Sequence, residues 1–195
     1  MSLTVRALTG VEMAAAIDDL ARLRITVFAD WPYLYDGDAD YEAGYLREFS
    51  AAPDAVLVAA LDGTRIVGAA TASPMWAQKP EFRAPFEVHG LDTSRLFYFG
   101  ESVLLAAFRG QGIGHAFFDL REAQARACGA DAATFAAVIR ADDHPARPAD
   151  YTPLDAFWRA RGYAPVAGLV TELAWQEHGE AAESPKPMQY WSRAL

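Results

Sequence analysis

The spacing of apolar positions along the chain changes several times, and each change marks an element. LTVRAL (Leu3 to Leu8) reads as a first strand, and from Val11 to Ala29 the residues Met13, Ile17, Leu20, Leu23, Ile25 and Phe28 recur at roughly helical spacing. Tyr41, Tyr45 and Phe49 share one face of a second, shorter helix, with Asp40 placed to cap it. VLVAALDGTRIVGAATA (Val56 to Ala72) predicts two antiparallel strands, because Asp62-Gly63 between two β-rich runs can supply the positive φ angles of a tight turn. Pro74, Pro80 and Pro85 make Ser73 to Ser94 an irregular excursion with room for one short helical turn.

The second half continues in the same manner. Arg95 to Leu105 reads as a strand, Gly112 to Cys128 as an apolar-faced helix stopping near Gly129, and Asp131 to Ile139 as another strand. A loop of low order, RADDHPARPADY, leads to a short helix from Leu154 to Tyr163, ended by Gly162. VAGLVTELAW and MQYWSRAL form the last two strands, joined by the polar connector EHGEAAESPKP (Glu177 to Pro187). The tally is an α+β protein, with one mixed sheet of about seven strands and about four helices, not an alternating βαβ chain.

Composition narrows the function. With 195 residues, 52% of them hydrophobic, the chain supports one well-buried core, so a single domain over residues 1–195 is expected. A net charge of −9 argues against a nucleic-acid or anionic-membrane partner, since either would be repelled across most of the surface. Any polyanionic ligand must then be held locally. The lone Cys128, set among helical alanines, reads as a small core residue, and His89, His115, His144 and His178 lack metal-ligand spacing, so no metal is expected. With no leader pattern and no apolar run long enough for a bilayer, the expectation is a soluble cytoplasmic protein.

One stretch meets the requirement for local anion binding. FRGQGIGHAFF places Gly110, Gly112 and Gly114 immediately before an apolar helix, although glycine is a poor helix former. A strand running into such a loop and then into a helix presents unpaired backbone amides at a helix N-terminus, suited to a phosphate. The spacing fits neither the dinucleotide fingerprint, which needs glycine where His115 or Phe117 stands, nor the P-loop, whose Gly-Lys-Ser/Thr ending is absent.

What the stretch fits is Arg/Gln-x-x-Gly-x-Gly/Ala, through Arg109, Gly112 and Gly114. With it, and with the order of strands and helices around it, nearly the whole chain resembles the GCN5-related N-acetyltransferase (GNAT) superfamily. The resemblance implies a three-layer α/β/α arrangement and acetyl-CoA as acyl donor. It also implies a pyrophosphate cradle formed by Arg109, Gly110, Gln111, Gly112, Ile113, Gly114 and His115, and backbone pairing of the pantetheine arm along Ser102, Val103 and Leu104.

Acetyl transfer to an amine needs a base, a polarised carbonyl and a proton for the departing thiolate. Glu101, inside the apolar run FYFGESVLL, is the best placed base, and a backbone N–H near Val103 or Leu104 would polarise the carbonyl. Many family members carry a tyrosine acid where this chain has Trp158, whose indole cannot donate a proton in that role. The family's frequent asparagine seven residues earlier is replaced by Tyr151, a substitute acid or a CoA contact, and the carboxylate of some relatives is replaced near Val138. The loop DWPYLYDGDAD lies where the family builds its acceptor site, so Trp31, Tyr33, Tyr35 and Asp36 are candidates to receive a cationic amine.

The expectation is therefore a GNAT N-acetyltransferase acting on a small-molecule amine by direct attack. Its rivals are a catalytically silent acyl-CoA-binding or regulatory module and a peptide or protein N-terminal acetyltransferase. A homodimer is in keeping with relatives that pair, with MQYWSRAL as the strand able to reach a neighbour.

Overall fold

A computed structural model describes residues 3–195. Its elements are β1 (Leu3–Leu8), α1 (Gly10–Ala15), α2 (Ile17–Phe28), α3 (Ala39–Ala51), β2 (Val56–Asp62), β3 (Arg65–Pro74) and α4 (Pro80–Val88). They are followed by β4 (Leu96–Leu104), α5 (Ile113–Ala127), β5 (Ala132–Val138), α6 (Asp155–Ala160), β6 (Ala164–Trp175) and β7 (Ser184–Ala194). The seven strands form one sheet in the order β1-β2-β3-β4-β5-β7-β6. Only β4 and β5 run parallel; every other neighbouring pair is antiparallel.

Strand alternation sorts the core into two faces. On β2, Val56, Val58 and Ala60 pack with Ile113, Phe117 and Phe118 of α5, whereas Leu57 and Ala59 pack with Leu20, Leu23 and Leu46 of α2 and α3. On β4, Phe97 and Phe99 join the α5 side, while Leu96 and Tyr98 meet Phe82 and Phe86 of α4. The result is the expected α+β fold, with helices covering both faces of a mixed, mainly antiparallel sheet.

Several local expectations shift. The long first helix is two helices divided at Ala16, whose N–H bonds to Met13 O as α1 closes. The excursion after β3 holds the nine-residue α4, with Pro80 in its first turn, where a missing N–H costs no helical bond. These two changes raise the helix number above the expected four. On α3 the buried residues are Glu42, Ala43, Leu46 and Phe49, and Tyr41 is exposed, so the face is rotated from the tyrosine stripe. Its cap is Asp38, whose side chain accepts from Tyr41 N at 2.8 Å, and Asp40 lies inside the helix.

Strand β7 also begins earlier than expected, taking in part of the polar connector. Pro185 and Pro187 pair with Ala174 and Glu172 of β6, and β7 meets β5 only from Met188 onward. The prolines therefore sit where one side of β7 has no neighbouring strand, as their missing N–H requires. β7 lies between β5 and β6, so β1 and β6 are the sheet edges and MQYWSRAL is enclosed. Among the described residues no helix is long and apolar enough to cross a membrane.

Candidate active site

The parallel pair at the centre of the sheet comes apart. β4 and β5 are in register only from Leu96↔Ala132 to Tyr98↔Thr134, after which β4 keeps β3 alone as its partner. The end of β4, Ser102 to Leu104, thus has one backbone edge turned into an open wedge. Val103 is fully buried on the α2 face, Ser102 is exposed and Leu104 is half-buried, so what this segment offers the wedge is main chain.

The loop after β4 explains its glycines. Gly110 and Gly112 have φ of +76° and +79°, a left-handed conformation that favours glycine, and an added Cβ at either would meet nothing within 4 Å. Gly114 is different, since its Cβ would make an ordinary 3.5 Å contact with Phe157. Ala116 is the first residue of α5 whose N–H reaches a backbone carbonyl, on Gly112 at 3.2 Å. The amides from Gly110 to His115 have no such partner among the described residues, at a helix N-terminus where the space beside the Cα atoms of Gly110 and Gly112 is open. Arg109 donates through Nε to Leu104 O at 3.3 Å, tying the loop to β4, and Gln111 donates to Ala107 O at 3.4 Å. The Ile113 side chain enters the core, so only its backbone faces the loop. His115 leans on α6, with Arg161 Nη1 3.2 Å from its Nδ1 and the Phe157 ring 4.9 Å away.

Glu101 reaches its position through a break in alternation. Phe97 and Phe99 point toward α5, and strict alternation would send residue 101 the same way. Between Ala70↔Ser102 and Ala72↔Phe99, however, β4 has one residue more than β3, a bulge at Gly100 and Glu101. The extra residue turns the Glu101 side chain to the α2–α3 face. Gly100 is required there because a Cβ would lie 2.4 Å from Thr71 Oγ1 on the opposing strand. From the α5 side, the buried Arg121 donates to Thr71 O at 3.3 Å and to Glu101 O at 3.5 Å, so both bulge strands have a donor. Its guanidinium also lies over Phe99 and Phe118 and lacks a carboxylate partner; burial pushes its pKa down to about 10.

On the other face, Arg24 of α2 joins two acids. Its Nη1 is 2.8 Å from Glu101 Oε2, and its Nε donates to Glu42 of α3, while the guanidinium stacks on Phe28 and Tyr45. Burial disfavours this charge, yet Glu101 and Glu42 outweigh it and hold the Arg24 pKa above its ordinary value. Glu101 Oε1 and Thr71 Oγ1 are buried with no hydrogen-bond partner. Such an orphan costs about 1–3 kcal/mol until a donor arrives. Sequence reasoning missed Arg24, Glu42, Thr71 and Arg121. The available signal was spacing: Leu20, Arg24 and Phe28 recur every four residues, which puts a charge on an apolar stripe.

The aromatic loop closes over this region. Tyr33 packs on Phe28 and Trp175, and burial pushes its hydroxyl up to about 12, within electrostatic reach of Arg24, Tyr151 and Glu101. Trp31 contacts His144 at 4.9 Å and Tyr151 at 5.8 Å, bringing together two candidates far apart in sequence. Tyr151 is half-buried under Arg147, and its pKa is raised, first by burial and then by Asp155. Arg140 fixes the loop, donating to Pro32 O at 2.7 Å, Tyr33 O at 3.2 Å and Glu177 at 2.5 Å. Tyr35 forms a bridge with Glu177. Asp36 is exposed, with Oδ1 3.6 Å from His178 Nδ1, so it is not drawn into the Glu101 cluster. Trp158, at the expected tyrosine position, packs on Phe135 and Trp191.

A sheet split at its only parallel pair, with a glycine loop opening a helix beside the split, defines an acyl-CoA acyltransferase architecture. The model of the acetyltransferase (GNAT) family matches residues 20–149, and the chain belongs to that family. No curated protein matches it. Solved structures share the fold over nearly all of both chains. A ribosomal-protein-alanine N-acetyltransferase from Brucella melitensis is 14% identical with a TM-score of 0.62, covering 98% of this chain and 99% of its own. The yncA protein from Salmonella typhimurium, solved with its cofactor acetyl-CoA, is 13% identical with a TM-score of 0.58 over 100% and 95%. An aminoglycoside 6'-acetyltransferase type Ii is 17% identical with a TM-score of 0.59 over 100% and 97%.

Proposed function

We propose that this acetyltransferase transfers an acetyl group from acetyl-CoA to the amine of a small molecule, by direct attack and without a covalent enzyme intermediate. The observation that carries the reading is the run of unpaired amides from Gly110 to His115 at a helix N-terminus, beside two glycines with open space at their Cα atoms. Those donors fit a diphosphate without a basic surface, in keeping with a chain of net charge −9. The Arg109 guanidinium, bonded only to Leu104 O, has donors left for a phosphate. Ser102, Val103 and Leu104 present backbone along the wedge for an amide-bearing arm.

When bound, acetyl-CoA supplies the activated acyl thioester. The protein's own residues do the rest. Glu101 takes a proton from the acceptor amine, directly or through water, and a backbone N–H near Val103 or Leu104 stabilises negative charge on the carbonyl oxygen. Tyr151 donates the proton needed at sulfur, in place of the tyrosine that Trp158 replaces. Trp31, Tyr33 and Tyr35 form the acceptor wall, with Asp36 at its rim.

A compact acceptor is supported by the way this wall is closed. The loop is bonded to Arg140, and Trp175 Nε1 donates to Tyr33 O at 3.0 Å, while Trp31 contacts His144 and Tyr151 across the gap. This arrangement favours an isolated amine over an extended peptide. The test is calorimetry with acetyl-CoA, followed by thiol release with a panel of small primary amines and N-terminal peptides. Tight binding with release by small amines is expected. Release by peptides alone would move the acceptor to the protein class, and no binding of acetyl-CoA would defeat the reading.

A further inference from the structure

Glu101 is not a solitary carboxylate, and its surroundings go beyond what a proton acceptor needs. Charged or titratable groups approach from every neighbouring element: Arg24 on α2, Glu42 and Tyr45 on α3, Tyr33 in the aromatic loop, Tyr98 on β4 and Arg121 on α5. Burial is the largest cause that raises the three tyrosine hydroxyls above their ordinary value, so they are neutral near pH 7. Arg121 meets the strand from the opposite face and bonds to the Glu101 carbonyl, not to its carboxylate. The groups that set the state of the Glu101 side chain are therefore Arg24 and Glu42.

Their geometry is directional. Arg24 uses Nη1 on Oε2 of Glu101 at 2.8 Å and Nε on Glu42, and its ring contacts with Phe28 and Tyr45 fix the plane of the guanidinium. Oε1 of Glu101 has no partner. The Arg24 and Glu42 side chains are 12% and 1% exposed, so bulk water does little to screen the pair.

We propose that Arg24, itself held by Glu42, is the positioning residue of the acceptor site: it occupies Oε2 of Glu101 and leaves Oε1 as the free acceptor for the incoming amine. This rests on Glu101 being the base, as proposed above. The arrangement fixes the Glu101 side chain in one direction before substrate arrives, with Glu42 holding the other side of the guanidinium. Arginine suits the place because its planar fork reaches two carboxylates in fixed directions.

The test follows the side-chain carboxyl resonance of Glu101 at pH 7 in protein labelled with 13C-glutamate, assigned by the signal lost in Glu101→Gln, together with kcat and KM for thiol release by small primary amines. In Arg24→Met the resonance should move and kcat should fall by about 10²-fold with the KM for acetyl-CoA near wild type, because the carboxylate loses the partner that fixes its direction. Arg24→Lys should restore part of kcat, and Glu42→Gln should lower it less than Arg24→Met, since Arg24 then keeps Glu101 but loses its second anchor. A rescue by lysine is not expected of a general loosening of the fold. An unchanged resonance and kcat in Arg24→Met would overturn the proposal. Should that variant not fold, the lysine and glutamine variants decide it: Glu42→Gln with wild-type kcat counts against it. Acetyl-CoA calorimetry on the same proteins separates the two readings, because failure of the cofactor cradle removes binding from the wild type while leaving the resonance measurable.

Discussion

The two halves of the site are built on different principles. The proposed cofactor side is one contiguous stretch, from Ser102 to His115, and what it offers is backbone: an unpaired strand edge and a run of helix N-terminal amides. The proposed acceptor side is assembled from side chains of α2, α3, β3, β4 and two loops, joined by Arg24 between Glu42 and Glu101. The first depends on local φ angles and the second on register. A backbone site can therefore survive loss of a side chain, whereas the acceptor site changes when one residue of β4 is displaced. The sharpest separation of the halves should come from Glu101→Gln. Removing a positioned base lowers turnover by about 10²–10⁴-fold, and acetyl-CoA affinity measured by calorimetry should stay near wild type, because the carboxylate is outside the amide cradle. Equal losses in both quantities would show that the halves are not separate.

The reciprocal change is Gly112→Val. A β-branched residue at φ +79° is strained, and its side chain would enter the open space beside the loop. With strain of about 1–3 kcal/mol, affinity for acetyl-CoA should fall by about 5–150-fold. The Glu101 carboxyl resonance should not move. An affinity unchanged from wild type would mean that the loop is not the cradle.

The same contrast governs what could be read from sequence. Arg109, Gly112 and Gly114 lie close together in the chain, and a strand and a helix flank them, so the proposed cradle was visible as a local pattern. The β2–β3 hairpin followed from alternation and the Asp62-Gly63 turn, whereas the order of the strands in the sheet was not read from the sequence. Glu101 stood out as a carboxylate in an apolar run, but its direction did not, because alternation carries no register and the bulge at Gly100 reverses parity. Arg24 was hidden within a stripe scored for apolar residues, and Glu42 behind the tyrosine face that α3 does not bury. The Trp31–Tyr151 contact joins residues far apart in the chain and could be found only in three dimensions. Asp36 illustrates the converse, since proximity in sequence to the acceptor loop did not bring it into the acid cluster.

The bulge itself can be broken and mended. Gly100→Ala places a methyl 2.4 Å from Thr71 Oγ1, so either Thr71 turns away or the bulge shifts. Overpacking of this kind costs about 1–3 kcal/mol, and it should lower both the melting temperature and turnover. With Thr71→Ala added, the next atom is the Thr71 Cβ at 3.7 Å, an ordinary contact, and the buried orphan hydroxyl is removed as well. The double variant should regain most of the lost stability. No recovery would place the strain elsewhere in the bulge, and recovery of stability without turnover would show that the Thr71 hydroxyl serves the acceptor side.

The smallest effect expected is at Gly114. It differs from Gly112 in two respects: it lies within α5, outside the left-handed region, and its Cβ would meet Phe157 Cζ at 3.5 Å, ordinary van der Waals distance. Alanine there also removes the entropic cost of a helical glycine, worth roughly 0.5–1 kcal/mol. Gly114→Ala should therefore melt at or slightly above the wild-type temperature and bind acetyl-CoA within about twofold, an affinity change of less than 0.5 kcal/mol, as for a substitution with no named defect. The comparison with Gly112 then becomes quantitative within a single turn of chain. If Gly114→Ala instead lost affinity while gaining stability, the methyl would be obstructing the ligand and not the fold. The ligand would then approach the main chain at Gly114 as closely as at Gly112.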